Sequence, residues 1–332
     1  MQIPRHTRRP TGTTPCSQPG QSTGGLRRVT QTPSTAVPLA HSYITMKHTF
    51  SLLLLFLSIN LSAQIRGTVF DKTTGKPIRY ANVFLKDQMI GATSDFNGTF
   101  IINQATRQNI LIVSAIGYDS QVIIPKDDNI KIELIPRIYE LPEIKVTPKK
   151  RTSKLIVDSN KKALVTAAVS PVGSYPWIVT KYFNFLPNYN STPILKQIQI
   201  MTVCHLDSAI FNLRLIAAND KGEPGSDLLN NNMIIAVKKG EKTVTVNLAD
   251  LRIFFPKNGF FVAIEWIILD RNKDLNKQNH SFHYDPLFGI VQKADNGDIR
   301  MYSKGKWYKS RLISSPTKNL SGELAIELTL TN

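Results

Sequence analysis

The chain of 332 residues is long enough for two ordinary domains, each with its own core. Its 41 lysines and arginines exceed its 24 acidic residues, for a net charge of +17, but these basic residues are scattered. The scatter argues against nucleic-acid binding, which uses clustered basic residues. The net charge favours an anionic partner, such as an acidic surface glycan, and is compatible with peripheral association with a membrane.

The first 63 residues do not have the pattern of a folded domain. Residues 1–45 are rich in Thr, Pro, Ser, Gly and Arg without apolar periodicity, so we predict disorder and interpret them as a gene-model extension before a true start at Met46. Residues 46–63 have the plan of a signal peptide, with Lys47, an apolar run over 50–61 and a small-residue cleavage site after Ala63. A basic tail before a membrane anchor is the alternative, but the run is shorter than the roughly 20 residues of a spanning helix.

We therefore expect an exported protein of the periplasm, outer membrane or cell surface, with no transmembrane segment in the mature chain. Of its two cysteines, Cys16 precedes the predicted cleavage site and Cys204 lies in an apolar run. An internal disulfide is thus excluded in the mature chain, and we predict that Cys204 is a buried structural thiol. Because strand side chains alternate between faces, His205 would point away from it, which argues against a Cys–His nucleophilic pair.

Residues 64–136 alternate short apolar runs with turn signals, a pattern typical of a small antiparallel β-sandwich. Gly75 and Gly98 lie where hairpin turns favour glycine, and Phe100 and Ile102 alternate toward a core. The turn from Asp95 to Gly98 offers oxygen ligands but lacks the spaced carboxylates of a calcium loop, so we interpret it as a plain turn.

The same segment resembles the carboxypeptidase-regulatory-like (prealbumin-like) domain family. The motifs that carry the resemblance are Gly67-Thr68-Val69-Phe70-Asp71, Thr74-Gly75-Lys76-Pro77-Ile78, Ala81-Asn82-Val83, Gly91-Ala92-Thr93-Ser94-Asp95, Asn97-Gly98-Thr99-Phe100 and Gly117-Tyr118. The resemblance implies a seven-stranded sandwich of a kind widespread in exported proteins of Bacteroidetes. It also implies an accessory module, because the zinc ligands of the related carboxypeptidases lie in a separate catalytic domain, and this chain contains no HxxE pair.

Residues 137–173 are extended, proline-containing and basic, and we predict a flexible linker with a short helix over 161–170, before Pro171. The piece LPEIKVTP at 141–148 is similar to the segment that follows this domain in TonB-dependent receptors. The chain that follows is short for such a receptor, which favours the linker interpretation.

Residues 174–332 are again strand-like. We predict strands over 177–185, 194–203, 210–217, 233–237, 243–248, 260–269, 287–291, 299–302, 307–309 and 323–331. This number of strands fits a jelly-roll or similar two-sheet sandwich. Residues 211–215, 222–229 and Phe260–Trp266 resemble a jelly-roll module that accompanies the first domain in other exported Bacteroidetes proteins. The predicted fold is therefore all-β, with a prealbumin-like sandwich followed by a jelly-roll-like sandwich.

Groups suited to chemistry are few in the second domain. His280, His283 and Asp285 lie within one short stretch, but histidines three residues apart point to opposite faces of a strand, so we interpret a polar loop, with a metal-binding loop as the alternative. Glu265 lies in an apolar strand, and we expect it at a sheet edge or paired with Arg214. We predict no catalytic residue, no cofactor and no metal ligand.

Two aromatic residues, Tyr302 and Trp307, form the candidate ligand surface, as a stacking platform for sugar. Trp307 and Tyr308 are adjacent and would face opposite sides of a strand, so at most one of them would be exposed beside Tyr302. The alternative is that these aromatics belong to the core.

The sequence thus favours an exported, non-catalytic cell-envelope protein, acting as a binding or assembly module for a protein partner or a surface glycan. A structural subunit of an outer-membrane complex is a variant of this hypothesis. The alternative is a carbohydrate-active or other hydrolytic enzyme with its site in the loops of the C-terminal sandwich. Such a site needs two carboxylates about 5–9 Å apart, and Asp285, Asp295 and Asp298 are candidates that no motif joins.

Overall fold

The computed structural model describes residues 64–137, 154–157, 165–171, 173–275, 281–292, 299–310, 312–315 and 320–332. The predicted extension, the signal peptide and the LPEIKVTP piece lie outside these residues. The described chain consists of β-strands and three short 3-10 helices, at Pro187–Ser191, Ala249–Leu251 and Asp270–Asn272. This confirms the all-β prediction. Among the described residues, no helix is long and apolar enough to cross a membrane.

The N-terminal sandwich has seven strands, as predicted. They are β1 (Gln64–Asp71), β2 (Asn82–Leu85), β3 (Gly91–Thr93), β4 (Thr99–Asn103), β5 (Leu111–Ser114), β6 (Gln121–Ile123) and β7 (Asn129–Leu134). One sheet has the order β4-β1-β7 and the other β3-β2-β5-β6. The expectation of a purely antiparallel sandwich was wrong for one pair, because β7 returns to the first sheet and runs parallel to β1.

The core and turns of this sandwich follow the sequence pattern. Phe100 and Ile102 are buried while Ile101 between them is 54% exposed, so the predicted alternation is confirmed. Gly98 has a φ of 74°, and a Cβ there would lie 2.8 Å from the Val69 carbonyl oxygen. The Asp95 carboxylate accepts hydrogen bonds from the turn it begins, as in an ordinary turn, and the absence of calcium there stays a prediction.

The rest of the described chain forms one large sheet and a small hairpin. Its strands are β8 (Lys154–Val157), β9 (Val165–Val169), β10 (Ile178–Phe183), β11 (Ile194–Ala218), β12 (Pro224–Asp227), β13 (Met233–Asn247), β14 (Phe260–Trp266), β15 (Lys273–Leu275), β16 (Phe282–Tyr284), β17 (Leu287–Gln292), β18 (Ile299–Ser303), β19 (Lys306–Ser310), β20 (Leu312–Ser315), β21 (Leu320–Leu324) and β22 (Ile326–Thr331). Strands β15 and β16 pair only with each other among the described residues, and the others join the large sheet.

The large sheet is organised around β11. Its first half pairs with β22 and its second half with β14, while β13 accompanies both halves. The register shifts between Cys204 and Ser208, and a bulge of this kind bends a strand. The sheet therefore folds over on itself, so that Ile198 and Leu328 from one half share a core with Leu213 and Val262 from the other.

Several predicted boundaries were wrong. The strands predicted over 194–203 and 210–217 are one strand, β11, and those over 233–237 and 243–248 are one strand, β13, because pairing continues through the predicted turns. The helix predicted before Pro171 is replaced by β9, whose sequence VTAAV includes three β-branched residues that favour a strand. Strands β8 and β9 lie within the range predicted as linker and pair with β22 and β17.

Strand β14 is buried on both of its faces. Val262 and Ile264 face the core of the folded sheet, whereas Phe261 and Ala263 belong to a second apolar cluster on the outer face. Glu265, two residues further, shares that outer face, and the N-terminal sandwich covers it. Both sandwiches fall within one compact unit, Leu61–Asn332.

Candidate functional site

A small cleft lies where the two sandwiches meet. Its volume is about 150 Å³, and both sandwiches line it, with Asn82 and Tyr118 on one side and Arg214, Glu265 and Trp307 on the other. This volume corresponds to about five water molecules. The cleft therefore has room for one small polar group or part of a sugar ring.

Glu265, which is 4% exposed, is the shared hydrogen-bond acceptor at the floor of the cleft. Its Oε1 accepts hydrogen bonds from Asn82 Nδ2 at 2.6 Å and from Arg214 Nη1 at 3.3 Å, and its Oε2 accepts one from Asn212 Nδ2 at 2.7 Å. The predicted pairing with Arg214 is confirmed. The edge position is excluded, because β14 lies between β10 and β11.

Arg214 joins two carboxylates. Its Nε and Nη2 donate to the two oxygens of Asp227 at 2.9 and 2.8 Å, in addition to the contact with Glu265. Burial alone would lower the pKa of the guanidinium, but the two neighbouring carboxylates outweigh burial and raise its pKa above the usual value. The cleft thus contains a permanent cation held between two acidic groups.

The aromatic wall of the cleft consists of the two predicted residues, Tyr302 and Trp307. They face each other across the β18–β19 pair, with ring centroids 5.2 Å apart and planes inclined at 63°. Burial is the main cause that raises the pKa of Tyr302. Tyr308 is 45% exposed whereas Trp307 is half-buried, which confirms the predicted alternation. The rings do not form one flat platform, and their use in sugar binding stays a prediction.

A second, wider groove of about 730 Å³ also lies between the sandwiches. Strand β4 supplies Phe100 and Ile101, and β16 supplies Phe282 and Tyr284. Lys273 Nζ lies 4.2 Å from the centre of the Phe282 ring. The groove has the volume of an ordinary small-molecule site, which is about 300–1,000 Å³.

The remaining candidates from the sequence do not line the small cleft. Cys204 is 2% exposed, and burial, followed by the nearby Asp285, raises the pKa of its thiol to about 11. The prediction of a buried thiol is therefore confirmed, and the neighbouring His205 is exposed. His283 and Asp285 lie at β16 and just after it, and His280, Asp295 and Asp298 lie outside the described residues.

Sequence reasoning missed the three asparagines of the junction. Asn212 Nδ2 also donates to Asn232 Oδ1 at 2.8 Å, and Asn232 Nδ2 donates to the Arg79 carbonyl oxygen of the other sandwich at 3.3 Å. The available signal was an amide within an apolar strand, as in Phe211-Asn212-Leu213 and Ala81-Asn82-Val83. A buried amide requires partners. The partner of Asn82 is Glu265 of the other sandwich, whereas Asn212 bonds to Asn232 and Glu265 within its own sandwich.

Comparison with known proteins identifies the domain family of the N-terminal sandwich. Residues 65–146 match the family model of the CarboxypepD_reg-like domain, so the resemblance predicted for residues 64–136 is confirmed. A stretch of 70 residues is 43% identical to the TonB-dependent receptor SusC of Bacteroides thetaiotaomicron. That stretch is 20% of this chain and 7% of the receptor, so the likeness concerns a small part of both proteins.

Two solved structures align over most of the chain. A protein of Bacteroides fragilis described as membrane-associated and of unknown function aligns over 82% of this chain and 98% of its own, with 13% identity and a TM-score of 0.18. The structure of infectious bursal disease virus, Gx strain, aligns over 76% of this chain and 52% of its own, with 9% identity and a TM-score of 0.20. Scores this low define no shared fold, and the jelly-roll assignment of residues 174–332 stays a prediction.

Proposed function

We propose that the protein is a non-catalytic module of the Bacteroidetes cell envelope that binds a surface glycan at the junction of its two sandwiches. The envelope location is supported by the CarboxypepD_reg-like domain and by the likeness of 70 residues to SusC. N-terminal sequencing of protein from the envelope fraction tests the location. A chain that begins at Gln64 is expected, whereas a cytosolic chain that keeps residues 46–63 would contradict it.

The observation that carries the glycan proposal is the composition of the small cleft. It combines the rings of Tyr302 and Trp307 with amides and charged groups from both sandwiches. Sugars present apolar C–H surfaces and hydroxyl groups together, and they bind where aromatic rings and polar groups converge. Residues 1–63 hold six basic and no acidic residues, so a chain that begins at Gln64 has a net charge of +11 (35 basic minus 24 acidic residues), which favours an acidic glycan through long-range attraction.

The arrangement of the carboxylates favours binding over hydrolysis. Arg214 holds Asp227 and Glu265 in ion pairs, and both oxygens of Glu265 accept hydrogen bonds. Proton transfer to a glycosidic oxygen needs a carboxyl group that is free to reach it. We therefore expect the purified protein to leave glycan and peptide substrates intact, and turnover of any of them would favour the hydrolase alternative.

Adjacent aromatic residues provide a matched test of the cleft. The protein is screened on acidic and neutral glycans, and binding of the best glycan is measured by calorimetry for Trp307→Ala and Tyr308→Ala. Loss of a stacking ring costs about 0.5–1.5 kcal/mol, so Trp307→Ala is expected to weaken binding roughly two- to tenfold, while Tyr308→Ala on the exposed face has no effect. Equal effects of the two substitutions would contradict a site in the cleft.

A pull-down from envelope extract distinguishes a glycan ligand from a protein partner. We expect glycan to be retained by the tagged chain and lost with Trp307→Ala. A single stoichiometric protein retained equally by Trp307→Ala would instead identify an assembly subunit.

A further inference from the structure

We propose that His205, His283 and Asp285 form a binding site for a divalent transition metal of the zinc type. The site lies where the β15–β16 hairpin meets the bend in β11. His205 belongs to the bulge of β11, His283 is the central residue of β16, and Asp285 follows β16 directly. The ligand atoms of the three side chains all lie within 4.8 Å of one another.

The distances fit a single small ion. Asp285 Oδ1 lies 3.2 Å from His205 Nδ1 and 3.2 Å from His283 Nε2, and the two nitrogens are 3.3 Å apart. Zinc binds nitrogen and carboxylate oxygen at about 2.0–2.1 Å, and tetrahedral angles then separate two ligand atoms by roughly 3.3–3.4 Å. The three atoms therefore form one face of a tetrahedron of the correct size.

A fourth ligand is close to this triangle. Asp274 Oδ2, on β15, lies 3.6 Å from His283 Nε2. Its side chain is 31% exposed, so it can shift by a rotation about its own bonds to complete the tetrahedron. Water is the alternative fourth ligand, because the His205 side chain is 48% exposed and leaves the site open to solvent.

The carboxylate is held in place for this role. Asp285 is fully buried, and its Oδ2 accepts hydrogen bonds from the backbone N–H groups of His205 and Leu206. These bonds leave Oδ1 directed at the two imidazole rings. In protein metal sites, hydrogen bonds of this kind to the ligating groups orient them toward the ion.

One cation can satisfy all three atoms of the triangle at once. Without an ion, the two ring nitrogens either both donate to the same Oδ1 or share a hydrogen bond with each other, depending on their tautomers. A cation at the centre of the three atoms instead binds two nitrogen lone pairs and one oxygen. Two imidazoles and a carboxylate favour zinc and its neighbours in the first transition row over calcium and magnesium, which prefer oxygen ligands.

The metal would link the β15–β16 hairpin, which forms part of the wall of the wide groove, to strand β11. Phe282 and Tyr284 flank His283 on β16 and line that groove from the opposite face of the strand. Binding of the ion joins β16 to the bend of β11, and the groove wall becomes more rigid. The prediction from the sequence that the chain has no metal ligand did not foresee this arrangement, because His205 lies far from His283 in the sequence.

The test is calorimetric titration of Zn²⁺ into the full chain, expressed without a polyhistidine tag and dialysed against a chelator. We expect one Zn²⁺ per chain, no binding of Mg²⁺ or Ca²⁺, and an increase in melting temperature with Zn²⁺. His205→Ala and His283→Ala are each expected to weaken Zn²⁺ binding at least tenfold and to abolish the increase. Asp207→Ala and Asp250→Ala, at exposed carboxylates that do not belong to the cluster, are the controls and keep both properties.

Two further measurements keep the test decisive. The melting temperatures of the metal-free variants show whether they fold, and the partial exposure of both histidines predicts values close to that of the unchanged protein. Co²⁺ in place of Zn²⁺ is expected to give the intense visible absorption of a four-coordinate ion. The proposal is overturned if Zn²⁺ does not bind, or if it binds equally to His205→Ala, His283→Ala and the controls.

Discussion

The side chains of Asn82 and Glu265 join the two sandwiches through a hydrogen bond of 2.6 Å between Asn82 Nδ2 and Glu265 Oε1. Both residues are buried, at 7% and 4% exposure. Phe84 extends the same contact, with its ring 5.4 Å from that of Tyr175 and 6.4 Å from that of Tyr302. A buried carboxylate is stable only with partners, so the C-terminal sandwich depends on the N-terminal one at this point.

Substitution of Glu265 is expected to be strongly destabilising. Glu265→Ala removes the acceptor of Asn82, one of the two acceptors of Asn212 and one of the two carboxylates of Arg214. Loss of one partner from a buried ionic network costs about 3–5 kcal/mol. Asn82→Ala removes one donor from a buried carboxylate and is expected to cost about 1–3 kcal/mol. Urea unfolding at neutral pH measures both free energies.

Arg107→Ala is the control for this prediction. Arg107 pairs with Asp128 at 3.1 Å, but both side chains are more than half exposed, so the expected cost is below about 1 kcal/mol. An Asn82→Ala variant no less stable than Arg107→Ala would show that the junction contributes little to the stability of the chain.

Local patterns in the sequence identified most of the strands but not their partners. The alternation of Phe100 and Ile102 and the turn at Gly98 were predicted because both depend on neighbouring residues. The continuity of β11 through its bulge depends on pairing with β13, which lies far along the chain. The contacts of Asn82 with Glu265 and of His205 with His283 likewise join distant residues, so no local pattern contains them.

The two turn glycines Gly259 and Gly222 are expected to respond differently to alanine. Both have a positive φ, of 78° and 73°, which costs alanine about 1–2 kcal/mol. A Cβ at Gly259 would also clash with Tyr182 Oη and lie 2.7 Å from the Phe183 carbonyl oxygen, whereas one at Gly222 meets nothing within 4 Å. Overpacking adds about 1–3 kcal/mol, so Gly259→Ala is expected to lower the unfolding free energy clearly more than Gly222→Ala. Equal losses in urea unfolding would contradict the close approach of Tyr182 to the turn at Gly259.

Lys181 is a buried cation whose removal is expected to be costly. It is 1% exposed, and its Nζ donates to the Ile326 carbonyl oxygen at 2.9 Å and pairs with Glu323 Oε1 at 3.0 Å. Lys181→Ala removes a cationic partner of the buried Glu323 and is expected to cost about 3–5 kcal/mol. The double variant Lys181→Met with Glu323→Leu removes both charges and is expected to recover most of this loss. A double variant less stable than Lys181→Ala would show that the ion pair itself contributes net stability.

The hydrogen bond between Tyr118 and Asp71 predicts a loss of stability at high pH. The Tyr118 hydroxyl donates to Asp71 Oδ2 at 2.9 Å, and burial, followed by this bond, raises the pKa of Tyr118 to about 12. A group whose pKa is raised on folding stabilises the protein fully below its unfolded pKa of about 10, and this contribution disappears as the pH rises through about 12. Tyr118→Phe is therefore expected to be less stable than the unchanged protein at neutral pH, because it loses a hydrogen bond to a charged acceptor. The stability difference between Tyr118→Phe and the unchanged protein is expected to vanish toward pH ~12, and urea unfolding across this pH range measures it.

Tyr308→Phe, on an exposed face, is the control with no expected change in stability. A loss of stability in Tyr118→Phe that stays constant up to high pH would contradict the role assigned to the Tyr118–Asp71 hydrogen bond.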